Sequence, residues 1–270
     1  MIDDGALVRR LGVLTETLHA VIYFAPEATA AYESVGLRGY WRGYFASRCA
    51  ALGPVGPELA TALLGGFAPS MVARALPMVW KLANPEDVVT ARTSAATAAL
   101  RRLVGGDLES VVAAGALTRR CITALDLPGR PMAAAHAALF RPTDPLGALW
   151  HDTTVLREHR GDGHLVAVAV AGLTWPEPHL LLGTRVDPAQ QLHRGWSDAE
   201  WFTAAKRMRG HDPGELDAIT DRLAAPAYTA LTPNERLELT DLLEPLARTA
   251  ATELPYPNAM GLLALGVPPP

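Results

Sequence analysis

Leu7, Leu11, Leu14 and Leu18 recur at steps of four and three, which places them on one stripe of a 3.6-residue helix and predicts an amphipathic element over residues 3–20, with His19 at its end. Pro26 and Glu27 suit the first turn of a second helix that stops near Gly36. The aromatic-rich GYWRGYFASRC, residues 39–49, reads as a third, closed by the Gly- and Pro-dense ALGPVGP. Pro57 to Phe67 and Pro69 to Trp80 read as two short helices. Residues 85–104 make a longer one, capped by Asn84 and ended by Gly105 and Gly106. Further helices are predicted over 107–125, within the Pro-rich stretch 128–145, near 178–182, after the Ser197/Glu200 capping box, and over 213–230 and 233–252. The tail PYPNAMGLLALGVPPP is expected to be extended and to lie over the surface or in a groove.

One stretch departs from simple amphipathicity. Leu149 to Gly172 carries six ionisable side chains from Arg157 to His164, then turns almost purely apolar. Gly161 and Gly163 predict a break between the two parts, with Asp162 capping the apolar one. On a continuous helix Arg157 lies about 20° from Trp150, His151 and Glu158 fall on the flanks, and His159 points to solvent.

Ala and Leu dominate a chain that is 49% hydrophobic and 19% charged, as in helical globular proteins. A net charge of −4 offers no general attraction for polyanions. The longest apolar run, residues 165–175, is too short to span a bilayer, and the acidic start is not a secretory signal, so a cytoplasmic location is expected. Cys49 and Cys121 lack metal-type spacing and are expected free and buried.

The chain also echoes itself. Trp41 and Trp150, Arg48 and Arg157, Gly53 and Asp162, and Pro69 and Pro178 share one offset. This suggests a first unit over 1–127, a connector over 128–145, a second unit over 146–254 and a tail over 255–270. In both copies the arginine follows the tryptophan by seven residues and so points toward the core. A buried guanidinium requires a carboxylate or a ligand anion. Glu27, Glu158 and Asp162 are the candidate partners; a bound anion is the alternative.

With LREHRGDGH at 156–164, the chain resembles a helix-turn-helix family of actinobacteria. Its LHA…YFAPE, WRGYFA…RxAxLG and RGWSDEEW segments correspond to residues 18–27, 39–53 and 194–201, and its PxPNPMG-like tail to residues 255–261. The resemblance implies an all-α fold of two fused, degenerate winged-helix-like units with a pseudo-twofold relation, MarR-like and either monomeric or homodimeric. Here KRMRGHDPGELDAITDRLAAP runs almost directly into the next helix, so the wing hairpin is expected to be vestigial or absent.

These features favour a small-molecule-binding protein with its pocket between the units. The leading expectation is a cofactor-independent enzyme of specialised metabolism that uses acid/base groups for cyclisation, isomerisation or elimination. The candidate catalytic residues are Glu158, His164, Asp162 and His151, and the candidate substrate-binding residues are Arg157, Arg48, Trp150, Trp41, Tyr44, His19 and Glu27, with Tyr23 beside them. The ligand is expected to be largely apolar with a polar or anionic group. No Gly-rich nucleotide loop is present, and the spacing of His159, Asp162 and His164 is not a zinc pattern, so neither cofactor nor metal is implied. The alternative is a MarR-like ligand-responsive regulator. DNA binding is disfavoured, because the segment 197–209 offers only Lys206, Arg207 and Arg209 against Asp198 and Glu200.

Overall fold

The computed structural model describes residues 4–106, 108–181, 190–208, 212–255 and 265–266; among them every regular element is helical. The helices are α1 (Asp4–Phe24), α2 (Pro26–Ser34), α3 (Tyr40–Cys49), α4 (Pro57–Leu64), α5 (Pro69–Ala75), α6 (Pro85–Val104), α7 (Leu108–Thr123), α8 (Pro131–Ala137), α9 (Pro145–Val170), α10 (Glu177–Leu181), α11 (Gln190–His193), α12 (Asp198–Arg207), α13 (Pro213–Ala224) and α14 (Pro233–Ala250). Proline opens many of them, where its fixed φ fits and its missing N–H costs nothing. Side-chain caps complete several starts. Asn84 accepts from the Asp87 amide at 2.8 Å, and Ser197 with Glu200 and Thr232 with Glu235 form capping boxes. No helix among the described residues is long and apolar enough to cross a membrane.

The centre of the molecule is α9, which packs against α1, α6, α7, α8 and α13. A helix covered on so many sides keeps little solvent face: 17 of its 26 residues are buried, and exposure is greatest near its end, at Val166 and Val170. The leucine stripe of α1 joins Leu239, Leu243 and Leu246 of α14 and Leu146, Leu149 and Trp150 of α9 in one continuous core. A smaller cluster, Ala167, Val168, Leu173 and Leu216, seals the end of α9 against α13.

Two expectations for this stretch are corrected. The glycine pair does not break the helix: α9 runs through Gly161 and Gly163, and Asp162 starts no new helix. Gly163 instead permits a close approach. A Cβ there would lie 2.5 Å from Arg130 Nη1, which donates to the His159 carbonyl at 3.0 Å while Nη2 donates to that of Leu223 at 2.7 Å. His159, expected at the surface, is buried, because the side of α9 away from Trp150 is covered as well.

The predicted helix over 69–80 ends early at Ala75, before a 3-10 turn over 78–81. The Gly65-Gly66 turn between α4 and α5 has φ of +57° and +69° and packs against the second half of the chain. The Gly66 carbonyl accepts from both His179 Nε2 and Trp196 Nε1 at 2.9 Å. Between α12 and α13 only residues 208–212 intervene, too few for a two-stranded wing. The expected extended tail lies largely outside the described residues, though Leu265 is buried in the main core.

The two glycines of α9 separate experimentally. At Gly161 a Cβ meets nothing closer than 3.8 Å, so Gly161→Ala is expected to stabilise the protein by about 0.5–1 kcal/mol in chemical denaturation. Gly163→Ala must displace Arg130 and is expected to destabilise it by roughly 1–3 kcal/mol. A helix broken at the pair would give destabilisation from both.

Candidate functional site

Glu158 projects from α9 into the interior and is 1% exposed. Its Oε2 accepts from Arg157 Nη1 at 2.8 Å and from Arg48 Nη2, on α3, at 3.3 Å. Arg157 Nε continues to Glu16 Oε2 on α1 at 2.8 Å. The two arginines that each follow a tryptophan by seven residues therefore meet on one carboxylate.

A third guanidinium lies beside them. Arg92 of α6, 1% exposed, donates through Nη1 to the Ser47 carbonyl and to His136 Nε2, both at 2.9 Å, and stands 5.1 Å from the Trp150 ring centroid. Because arginine only donates, His136 Nε2 must be the lone-pair nitrogen, and Nδ1–H donates to the Met132 carbonyl at 2.9 Å. His19 stacks on Trp150 at 5.9 Å and bridges Thr154 Oγ1 at 2.9 Å and the Tyr23 hydroxyl at 2.7 Å.

Electrostatics fixes the charge states. Burial opposes ionisation of Glu158, but Arg157 and Arg48 outweigh it and hold the carboxyl well below the usual carboxylate range. Arg48 and Arg157 stay above the usual arginine value despite burial, with Glu158 supporting both. Arg92 shifts down, by burial foremost. Burial and Arg157 push His19 well below its ordinary value, and burial and Arg92 lower His136 to about 3. Both histidines are thus neutral.

Among the described residues nothing hydrogen-bonds to Glu158 Oε1, Arg48 Nε, or Arg92 Nε and Nη2. A buried polar group left so costs on the order of 1–3 kcal/mol, more when charged. Adjoining this cluster is a pocket of about 120 Å³ between α1, α2 and α3, lined by Ile22, Tyr23, Tyr32, Glu33, Tyr40 and Tyr44 among others. Tyr23 and Tyr44 belong to both features. The first bonds His19, the second accepts from Arg48 Nη1 at 3.4 Å, and their rings are 4.9 Å apart. A pocket was expected between the two units; this one is lined by residues 22–44, with the cluster where the two halves meet.

The structure thus brings together Glu158, Arg157, Arg48, Trp150, His19 and Tyr44. Trp41 joins the same aromatic layer, 5.6 Å from Tyr44. The remaining acid/base candidates face other neighbours. Asp162 accepts from the Met132 and Ala133 amides, at 3.3 and 3.0 Å, and so caps α8. His164 meets Thr220 Oγ1 of α13 at 3.1 Å. His151, about two turns from Glu158, lies 3.3 Å from Asp152, itself held by Arg141. Glu27 pairs with Arg102, which also holds Glu253. Among the described residues no group of three or more His, Cys, Asp or Glu could hold a metal ion, and Cys49 and Cys121 are free and buried.

Sequence reasoning missed Arg92, His136 and Glu16. The signal for Arg92 was present: it interrupts a stripe of small residues, Val88, Ala91, Ala95, Ala96 and Ala99, on the buried face of α6.

Glu158→Gln leaves Arg48 and Arg157 without a buried countercharge and is expected to destabilise the protein by about 3–5 kcal/mol in urea melts. The pH response is set by the histidines. His136 and His179 are lowered to about 3, and His159 and His164 to about 4, in each case by burial first. Below about pH 6.5 the unfolded chain binds protons that these groups refuse when folded, so stability is lost as pH falls toward 4, by up to about 1.4 kcal/mol per pH unit for each. Asp162, raised to about 6 by burial, opposes this between pH 6 and 4 but is outnumbered. Melting temperature is expected to fall between pH 6.5 and 4.5, less steeply in His136→Gln.

No curated protein and no solved structure matches the chain. A family model described as "Helix-turn-helix family" matches residues 8–257, nearly the whole length. The chain belongs to this helix-turn-helix family.

Proposed function

We propose that this helix-turn-helix chain is a small-molecule-binding protein: a compact, largely apolar ligand with a polar end enters the tyrosine-lined pocket and sets that end toward the ion cluster. One observation carries the reading. Buried charges with unpartnered atoms stand one layer of tyrosines away from an open pocket. Such a cluster contributes little to stability, since well-packed apolar residues in its place are often neutral or stabilising. Its presence points to binding. An apolar cavity of about 150 Å³ accommodates benzene, so about 120 Å³ suits a ligand of about one ring.

The binding reading does not depend on turnover. Should the bound ligand be cyclised, isomerised or eliminated, Glu158 would act as a fixed negative charge opposite a developing cation rather than as a proton carrier, because its two arginines keep it ionised.

Family membership favours a second reading, sequence-specific DNA binding. On α12, the best reading helix, the cations are already engaged. Lys206 stands 4.4 Å from the Phe202 ring centroid, and Arg207 bonds Glu177 at 2.6 Å and Thr174 at 3.0 Å. The family name describes shape, and phosphate contacts need free cations.

Calorimetry with toluene, benzyl alcohol and benzoate tests the first reading. At least one is expected to bind the wild-type protein, and Thr29→Trp, at the exposed edge of the pocket, is expected to weaken it at least tenfold. Equal binding in the variant, or none by any probe, would rule the pocket out as the ligand site. Duplex DNA titrated between 50 and 200 mM salt is expected to show no steep salt-dependent binding; a fall of about 10³-fold over that range would favour the regulator.

A further inference from the structure

We infer that Arg48 and Arg92, beneath the tyrosines, form a site for a monoanion: the carboxylate of the pocket's ligand or a free halide-sized ion. The first source rests on the small-molecule reading above; the second does not.

Charge is the first ground. Around Glu158 three guanidiniums, Arg48, Arg92 and Arg157, stand against two carboxylates, Glu158 and Glu16, and the Arg194 guanidinium lies within electrostatic reach of Arg48 and Arg157, so positive charge is in excess. Among the described residues no buried neighbour supplies the missing negative charge, and Glu33, which lines the pocket, is exposed to solvent. Burial pushes the Tyr32 phenol and the Cys49 thiol up to about 12, and Tyr23 higher still, so none is an anion at neutral pH. His136 and His19 are pinned as neutral rings by their hydrogen bonds and burial.

Unused donors are the second ground. Arg48 Nε, Arg92 Nε and Arg92 Nη2 are fully buried, and among the described residues none has an acceptor. Arg92 also lacks the carboxylate that each of its two neighbours has, and burial lowers its hold on the proton. A water molecule bridging Arg92 to Glu158 Oε1 would satisfy hydrogen bonds yet leave the charge unmatched. A monoanion answers both needs.

The test uses the full chain, with melting temperature followed as sodium chloride replaces sodium gluconate at constant ionic strength. A rise with the logarithm of chloride is expected, and its loss in Arg92→Met. Broadening of the chloride-35 NMR line by the wild-type protein provides the same readout where Arg92→Met fails to fold. Benzoate at fixed chloride distinguishes the sources. If it binds at least tenfold more tightly than benzyl alcohol, loses that advantage in Arg92→Met and cancels the chloride effects, the site serves the ligand's carboxylate. If the chloride effects persist with benzoate bound, the site holds a resident ion. A flat chloride response together with benzoate and benzyl alcohol binding equally would overturn the anion site while leaving the pocket intact. No binding by any ring compound, with the chloride response present, would overturn the pocket and leave the anion site.

Discussion

A carboxylate that cannot reach water has to be matched where it stands, and in this chain that demand falls on Glu158 at the middle of α9. Meeting it draws the architecture inward. Arg157 comes from the same helix and carries the network to Glu16 on α1, and Arg48 comes from α3. Arg92 brings in α6 and, through His136, α8. Elements distant in sequence are thereby held to one point by directional contacts, which apolar packing alone would not orient.

Aromatic rings moderate this charge. Trp150 has the Arg92 guanidinium near its face and stacks with His19, while Tyr23 and Tyr44 join cluster and pocket. Histidines with depressed proton affinity act as neutral hydrogen-bonding spacers, adding no positive charge to an interior already rich in it. The result is a polar centre insulated by rings, with its tyrosine side adjoining an open pocket.

The elements were legible because local chemistry set them: prolines at first turns, Asn84, Ser197 and Thr232 at caps, and the leucine stripe of α1. Phase arithmetic also placed Arg157 inward, and the cost of burying a guanidinium put Glu158 beside Glu27 and Asp162 as a candidate partner; Glu158 is the one that Arg48 and Arg157 meet. It failed where packing overrode local preference. Gly161 and Gly163 read as a break, yet Arg130 fills the space beside Gly163 and the helix continues. His159 read as exposed because a helical wheel has one solvent side, and at His159 α9 is covered all round. Asp162 and His164 looked like partners of Glu158 because they are close in sequence, but α8 and α13 claim them. Arg92 was overlooked because its role depends on α3 and α8, which no pattern within α6 reveals.

The leucine face of α1 packs on α9, α13 and α14, and Arg10 is bonded to Glu244, 234 positions further along. On the ribosome that face is therefore completed only after α14 has emerged. At roughly 5–20 residues per second, it stays incompletely covered for something like ten seconds or more. An element that looks like the simplest in the chain is thus finished last, when the partner furthest along the chain arrives.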